Sequence, residues 1–271
     1  MSITPLSTSY TRSGTGSALV FIHGVGLNKS VWDSYLDAFT DSCSVICYDT
    51  LGHGESPIPP ATVTLDDYLE QLLELIDSLG LEKVSLCGHS MGALIALGFA
   101  IKYPHRCNAL VSLMCAYDRD PEHQQRQSRV AEILAGADSE QLLETTLQRW
   151  FTPQDQDNPV RRNKIDQVRH WLLANDKSGY SRAYRVLTEN GETYVGQLAQ
   201  ISVPALFITA EFDPNSTVEM CEKMAAQVVG ATSRVIKDER HMGQYLAPEK
   251  FLPPIERFLQ QHMTGGGNYD Q

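Results

Sequence analysis

A serine flanked by two glycines is the stretch of this sequence with the clearest capacity for chemistry. Residues 88–92 read Gly-His-Ser-Met-Gly and fit the pattern G-x-S-x-G. The apolar run 84–87 predicts a buried strand before them, and an apolar segment of helical length runs from Met91 until Pro104 stops it. In such a strand-to-helix turn, glycine on both sides permits a tight backbone that thrusts the serine hydroxyl outward.

A serine hydroxyl is a weak nucleophile until a base takes its proton, and imidazole is the base suited to neutral pH. Asp213 and His241 each follow a predicted strand, at 204–210 and 233–236. The chain order serine, acid, histidine is the order expected when the serine lies in a G-x-S-x-G turn. We therefore predict Ser90 as nucleophile, His241 as base and then acid, and Asp213 as the acid that orients the imidazole.

Three other polar residues compete for these roles. Asp118 is the alternative acid, because it also follows a predicted strand, at 109–114. His53 lies in a turn far upstream of the serine, where we expect a structural hydrogen-bonding role. His89 is adjacent to Ser90, but neighbouring residues in this turn point in different directions, so we expect it to form part of the wall.

A glycine-rich turn follows the predicted buried strand 18–22. It reads His-Gly-Val-Gly at 23–26, and glycines there let backbone N–H groups approach a ligand closely. We predict that the backbone N–H groups of Val25 and Met91 form an oxyanion hole, since Met91 also begins the helix after the serine.

Composition narrows the classes of protein that are compatible with the chain. Its 271 residues include 33 acidic and 22 basic residues, for a net charge of −11, which argues against nucleic-acid or anionic-membrane partners. The sequence has no apolar run of membrane-spanning length, and residues 1–17 lack the features of a signal peptide, so we expect a cytoplasmic protein.

The six cysteines predict neither disulfides nor a metal site. Cys47, Cys87 and Cys115 fall in predicted buried strands, and the spacing of the six indicates no disulfide framework, so reduced core thiols are expected. The Cys and His residues also lack zinc-site spacing. We expect no metal.

Strands and helices alternate on both sides of a long segment without convincing strands. This pattern predicts an α/β protein with a mostly parallel, doubly wound sheet, in which residues 118–199 form a helical cap inserted after the sixth strand. Residues 3–12 are expected to supply one or two of the strands. The predicted core is 1–117 with 200–263, and 264–271 is predicted to be a flexible tail.

Several motifs together resemble one family over essentially the whole length. They are H-G-V-G, D-T-L-G-H-G-E-S, G-H-S-M-G, E-F-D-P and the late His241. The chain resembles the α/β-hydrolase fold and, within it, the 3-oxoadipate enol-lactonase group and its small esterase neighbours. Residues 149–153 and 179–180 look like stretches of that group's cap. The resemblance implies cofactor-free hydrolysis of a small-molecule ester or lactone.

The cap is expected to set specificity, because it would cover the edge of the sheet where the strand-end residues meet. Trp150 and Tyr180 are the candidate substrate-binding walls. For a substrate with a carboxylate, Arg126, Arg129 or Arg149 is a candidate bidentate partner.

The same three residues, Ser90, Asp213 and His241, are compatible with other functions. A low-turnover ligand-sensing protein, a carbon–carbon bond hydrolase, a thioesterase, an acyltransferase and a triad enzyme with non-hydrolytic chemistry all remain open. A serine at position 90 argues against haloalkane dehalogenases and epoxide hydrolases of this fold, which need a carboxylate there.

Overall fold

A seven-stranded sheet organises the computed structural model, which describes residues 8–119 and 139–263. The strands lie in the order β1-β3-β2-β4-β5-β6-β7, with β1 antiparallel to β3 and the other pairs parallel. Their bounds are β1 Tyr10–Ser13, β2 Ser17–Ile22, β3 Cys43–Tyr48, β4 Val84–His89, β5 Cys107–Leu113, β6 Ala205–Ala210 and β7 Thr232–Ile236.

Helices connect the strands on both faces of the sheet. The α-helices are α1 Leu36–Phe39, α2 Leu65–Ser78, α3 Met91–Lys102, α4 Ser139–Trp150, α5 Pro153–Asp157, α6 Pro159–Ala174, α7 Lys177–Asn190, α8 Val218–Gln227, α9 Gly243–Leu246 and α10 Pro248–Met263. Short 3₁₀ helices occupy Lys29–Tyr35, Pro104–Arg106 and Leu198–Gln200.

The central strands are continuous apolar runs because helices cover both of their faces. The segment 29–39 and α10 contact each other on one side, whereas α2 contacts α3 on the other, and α3 packs on β2, β4 and β5. β2, β3, β4 and β6 are buried over nearly their whole length, and β7 forms a largely exposed edge. The parallel α/β sheet expected from the sequence is confirmed.

The helical segment α4–α7 lies between β5 and β6, so among the described residues five strands precede it rather than the six expected. Only Tyr10–Ser13 forms a strand in the described part of 3–12. Gly14 and Gly16, both at positive φ, turn the chain directly into β2 and leave space for one strand there. Residues 3–7 and the predicted tail 264–271 lie outside the described residues, and the domain boundaries stay a prediction.

The two glycines around the serine let β2, β4 and α3 approach closely. A Cβ atom at Gly88 would lie 2.2 Å from the Gly92 carbonyl oxygen, and a Cβ atom at Gly92 would lie 2.2 Å from the Ile22 carbonyl oxygen. Real Cβ atoms do not approach oxygen this closely. The start of α3 therefore rests directly on the carboxyl end of β2.

All six cysteines are buried free thiols, as the sequence predicts. In the two described ranges, no helix is long and apolar enough to cross a membrane.

Buried histidines hold the loops at the carboxyl ends of β2 and β3. The Thr50 N–H donates to His23 Nε2 at 3.0 Å, and the Gly26 N–H donates to His53 Nε2 at 2.9 Å. Each Nε2 therefore accepts and carries no proton, while His53 Nδ1 lies 2.9 Å from the Thr50 hydroxyl. The structural role expected for His53 agrees with these contacts.

A third buried imidazole belongs to His89, whose Nε2 lies 2.9 Å from the His241 carbonyl oxygen and donates to it. Burial lowers the pKa of His89 well below its ordinary value, and the neighbouring His241 acts in the same direction. Burial likewise lowers the pKa of His23 and, strongly, that of His53. The folded protein thus holds three neutral imidazoles that its unfolded chain protonates near pH 6.5.

These lowered pKa values predict acid sensitivity with a defined sign. Below about pH 6.5 the unfolded chain binds protons that the folded protein excludes, so each imidazole lowers the free energy of unfolding by up to about 1.4 kcal/mol per pH unit. We expect urea unfolding to give constant stability above pH 7 and a decline between pH 6.5 and 5.5. His53→Gln reduces that slope, whereas His105→Gln, at an exposed position, leaves it unchanged; a flat profile over this window contradicts the prediction.

Candidate active site

Ser90 lies between β4 and α3 in a conformation that few residues adopt. Its φ is 54° and its ψ is −114°, and it forms the N-cap of α3 without a side-chain capping bond. The Ser90 N–H donates to the Leu113 carbonyl oxygen at 2.9 Å, which ties the turn to β5. The hydroxyl is consequently available for contacts outside the helix.

The structure brings Ser90, His241 and Asp213 together in one hydrogen-bonded chain. His241 Nε2 lies 3.1 Å from Ser90 Oγ, and His241 Nδ1 lies 2.8 Å from Asp213 Oδ2. The other Asp213 oxygen accepts the Asn215 N–H at 2.8 Å. Asp213 and His241 are both buried, so water competes little for these bonds.

Asp118 lies apart from this chain of hydrogen bonds. Its carboxylate faces Lys223 at 3.6 Å, and its side chain is 50% exposed. Its φ of 51° turns the backbone away after β5. Of the two acids considered from the sequence for this role, only Asp213 contacts His241.

The groups predicted to form the oxyanion hole lie beside Ser90. Val25 lines the same cavity as Ser90 and His241. Met91 is the first residue of α3, so its N–H has no acceptor within the helix and lies at the positive end of the helix dipole. Their role as an oxyanion hole stays a prediction.

A cavity opens over Ser90 beneath the helical segment. Trp150, at the end of α4, lies in its wall, with its ring centroid 5.7 Å from that of His241. Tyr180 is placed outside the lining residues, because its ring packs against Gly26 and lies 6.3 Å from the His53 ring. The lining residues are Val25, Ser90, Met114, Ala116, Arg119, Arg149, Trp150, Tyr184, Leu187, Asn215 and His241.

Two arginines give the cavity a positive wall. Arg119 is 7% exposed, and burial lowers the pKa of its guanidinium, with the nearby Arg149 acting in the same direction. Glu192 opposes that shift and accepts the Arg119 N–H at 3.1 Å. A Cβ atom at Gly191 would lie 2.7 Å from Arg119 Nη1, so the guanidinium packs closely against this glycine.

Arg149 is one of the three cap arginines considered from the sequence, and it lines the cavity. Its Nε is buried and has no hydrogen-bond partner among the described residues. Arg126 and Arg129 lie outside the described residues. An anionic group in the cavity would offset the cost of burying positive charge there.

The cavity also has lining residues that were not predicted from the sequence, among them Arg119, Tyr184 and Asn215. Arg119 and Asn215 each lie within six residues of the end of a strand, and this position could have indicated them as site residues. Tyr184 shares a helix with Tyr180, one turn later, and nothing in the pattern distinguishes their surroundings.

The residues of this site do not resemble a metal centre. Across 8–119 and 139–263, no group of three or more His, Cys, Asp or Glu side chains is arranged to hold a metal ion.

Known proteins resemble this chain over most of its length. It is 35% identical over 251 residues to the (E)-2-((N-methylformamido)methylene)succinate hydrolase of Acinetobacter baylyi, covering 93% of each chain. It is 30% identical over 245 residues to 3-oxoadipate enol-lactonase 2 of the same organism, covering 90% of this chain and 89% of the relative. A malate-bound thermophilic esterase from Thermogutta terrifontis has a TM-score of 0.87 at 27% identity, covering 95% of this chain and 94% of that one.

The family profile for the alpha/beta hydrolase fold matches residues 17–248. That range extends from the start of β2 to the start of α10 and includes Ser90, Asp213 and His241. These matches agree with the sheet order and with the serine turn described above. The chain therefore belongs to the α/β-hydrolase fold family. Its relatives identify it as a hydrolase and include enol-lactonases.

Proposed function

We propose that this protein is a serine hydrolase that cleaves a small carboxylic ester or lactone through an acyl-enzyme on Ser90. The observation that carries the proposal is the chain of contacts from Ser90 Oγ to His241 Nε2 and from His241 Nδ1 to Asp213. It supplies a nucleophile, a base and an orienting acid within hydrogen-bonding distance of each other. Relatives that hydrolyse related compounds support the same reaction class.

In this mechanism His241 takes the Ser90 proton while Oγ attacks the substrate carbonyl carbon. The N–H groups of Val25 and Met91 stabilise the resulting oxyanion. His241 then returns the proton to the leaving alkoxide, the carbon–oxygen bond breaks, and an acyl-enzyme remains. Water, deprotonated by His241, attacks that ester and releases the acid and Ser90. With a lactone, the leaving alcohol stays attached to the acyl group.

The substrate is further proposed to carry a carboxylate. Arg119 and Arg149 line the cavity that holds Ser90, although the chain as a whole has a net charge of −11. Guanidinium groups bind carboxylates bidentately, and a buried wall strengthens the pairing. The names of the relatives mention a succinate, an oxoadipate lactone and a bound malate. Each of those compounds carries at least one carboxylate in addition to any reacting group.

One relative favours a second candidate reaction at the same site. The succinate hydrolase that is 35% identical to this chain acts on a compound whose name includes a formamido group. Hydrolysis of an amide attached to an unsaturated dicarboxylate would use the same nucleophile and the same positive wall. Product analysis with an ester and an amide of one dicarboxylate separates the two candidates.

Acylation of Ser90 is the direct test of the nucleophile. We expect rapid turnover of p-nitrophenyl acetate and an acetyl adduct on Ser90 in quenched samples, observed by intact mass and peptide mapping. Ser90→Ala should abolish both and retain the thermal transition, because the half-buried hydroxyl forms no capping bond with α3 and contributes little to packing. An adduct that forms but does not clear favours the ligand-sensing alternative, and an adduct on another residue contradicts the mechanism.

The acid is tested by paired substitutions at the two strand-end aspartates. Asp213→Asn should lower kcat by about 10⁴-fold, because the amide stabilises the wrong tautomer of His241. Asp118→Asn removes only an exposed pairing with Lys223 and serves as the matched control. A larger loss from Asp118→Asn than from Asp213→Asn reverses the assignment.

Charge recognition is tested at Arg149, the more accessible of the two arginines. Arg149→Met should lower kcat/KM for the p-nitrophenyl half-ester of succinate by roughly 10- to 100-fold, the loss expected for a charge-assisted hydrogen-bonded pair. Turnover of p-nitrophenyl acetate should stay close to wild type. Arg162→Met, at an exposed arginine of α6, is the control. Equal losses on the neutral and the charged ester would argue against carboxylate binding.

A further inference from the structure

Helix α6 (Pro159–Ala174) is tied at its first turn to the loop that carries His241. Arg161 donates to both carboxylate oxygens of Glu239, at 2.8 and 3.1 Å, and to Asp155 at 2.6 Å. Glu239 is 1% exposed and also accepts from Lys250 at 2.6 Å. A bidentate contact of this kind fixes orientation as well as distance.

Residues 238–241, here called the base loop, connect the buried Glu239 to the proposed triad. Glu239 precedes His241 by two residues, and its carbonyl oxygen accepts the Phe212 N–H at 3.0 Å, next to Asp213. Arg240 donates to the carbonyl oxygens of Gln148 and Phe151 at the end of α4, at 3.1 and 3.2 Å. Consequently the backbone that carries the base is attached both to the loop of the acid and to the helical segment above it.

The other end of α6 is tied to residues 24–27, here called the oxyanion loop. Asn175, which caps α6, donates through Nδ2 to the Gly26 carbonyl oxygen and to the Trp171 carbonyl oxygen, each at 2.8 Å. Gly26 follows Val25, and its own N–H is held by His53 from the opposite side. The loop is thus bound to the core through its N–H and to α6 through its carbonyl group.

The length of α6 matches the distance between the two loops. The oxyanion loop follows β2 and the base loop follows β7, and these strands are four strand spacings apart in the sheet, which is about 19 Å. Arg161 and Asn175 are fourteen residues apart, which is about 21 Å along a helix. About one turn after Arg161, Lys164 donates to the Tyr245 carbonyl oxygen at 2.8 Å. The helix therefore bridges the edge of the sheet from one loop to the other.

We propose that α6 is a strut that sets the positions of the base and of the oxyanion hole together, with Arg161 and Asn175 as its positioning residues. The inference rests on the proposed function, because it assigns roles to His241 and Val25 in acyl transfer. A helix resists bending and stretching, so the two loops cannot move independently while both ends are attached. Loss of the Arg161 contact displaces the base loop and leaves the oxyanion loop in place. Loss of the Asn175 contact has the reverse effect.

Substitutions at the two ends should have different signatures. We expect Arg161→Met to lower kcat per titrated active site by roughly 10²-fold, the loss associated with a displacement near 1 Å. KM for p-nitrophenyl acetate should remain close to wild type, since Arg161 itself does not line the cavity. The low-field proton resonance between His241 and Asp213 should shift or broaden. Lys250 still pairs with Glu239 in this variant, and Arg161→Lys should restore part of the activity.

Asn175→Leu keeps the size of the side chain and removes both donated hydrogen bonds. We expect kcat per active site and the affinity for a trifluoromethyl ketone, which forms a tetrahedral adduct with serine, to fall together, by roughly tenfold. The low-field resonance should persist, because the base loop is not altered. Arg162→Met and Asn163→Leu, at exposed positions of the same helix, are the matched controls and should retain wild-type values.

The outcomes separate the strut from a general contribution to folding. A structural role alone lowers the melting temperature and the fraction of titratable sites, but leaves kcat per site, ketone affinity and the resonance unchanged. That result overturns the proposal. If the wild-type protein never acylates Ser90, the proposed function fails, and the resonance in Arg161→Met still tests the strut because it requires no substrate.

Discussion

The turn at Ser90 is the constraint on which the rest of the structure depends. A φ of 54° with a ψ of −114° is unfavourable for a residue with a side chain, and it persists only where neighbouring elements hold it. The close approach of Gly88 to Gly92, and of Gly92 to Ile22, provides that support. The same turn begins α3 directly after Ser90, so the backbone strain and the proposed oxyanion hole have one origin.

Electrostatics divides the site into two parts. On one side a buried carboxylate, Asp213, is hydrogen-bonded to His241. On the other side Arg119 and Arg149 make the cavity wall positive within a chain of net charge −11. The buried imidazoles of the surrounding loops stay neutral and act only through hydrogen bonds. Charged side chains are therefore concentrated around the cavity in which we propose that the substrate binds.

The helical segment contributes to the site in two ways. It supplies wall residues such as Trp150, and it attaches to the loops below through side chains that bind backbone carbonyl groups and a buried glutamate. Under the proposed function, these attachments connect specificity to catalysis, since the helices over the cavity also hold the base loop and the oxyanion loop. A substitution in this segment can thus change turnover without touching the substrate.

The sequence by itself determined the sheet, the serine turn and the proposed triad. Parallel strands end at one edge, so residues that directly follow apolar runs must meet there, and Ser90, Asp213 and His241 do. The tertiary structure alone decided that Arg119 lines the cavity, that Tyr180 packs on Gly26, and that Arg161 reaches Glu239. These contacts depend on how helices dock on the sheet. Docking is set by side-chain packing between residues that are far apart in the sequence, so it produces no repeating pattern of residue types that could be recognised beforehand.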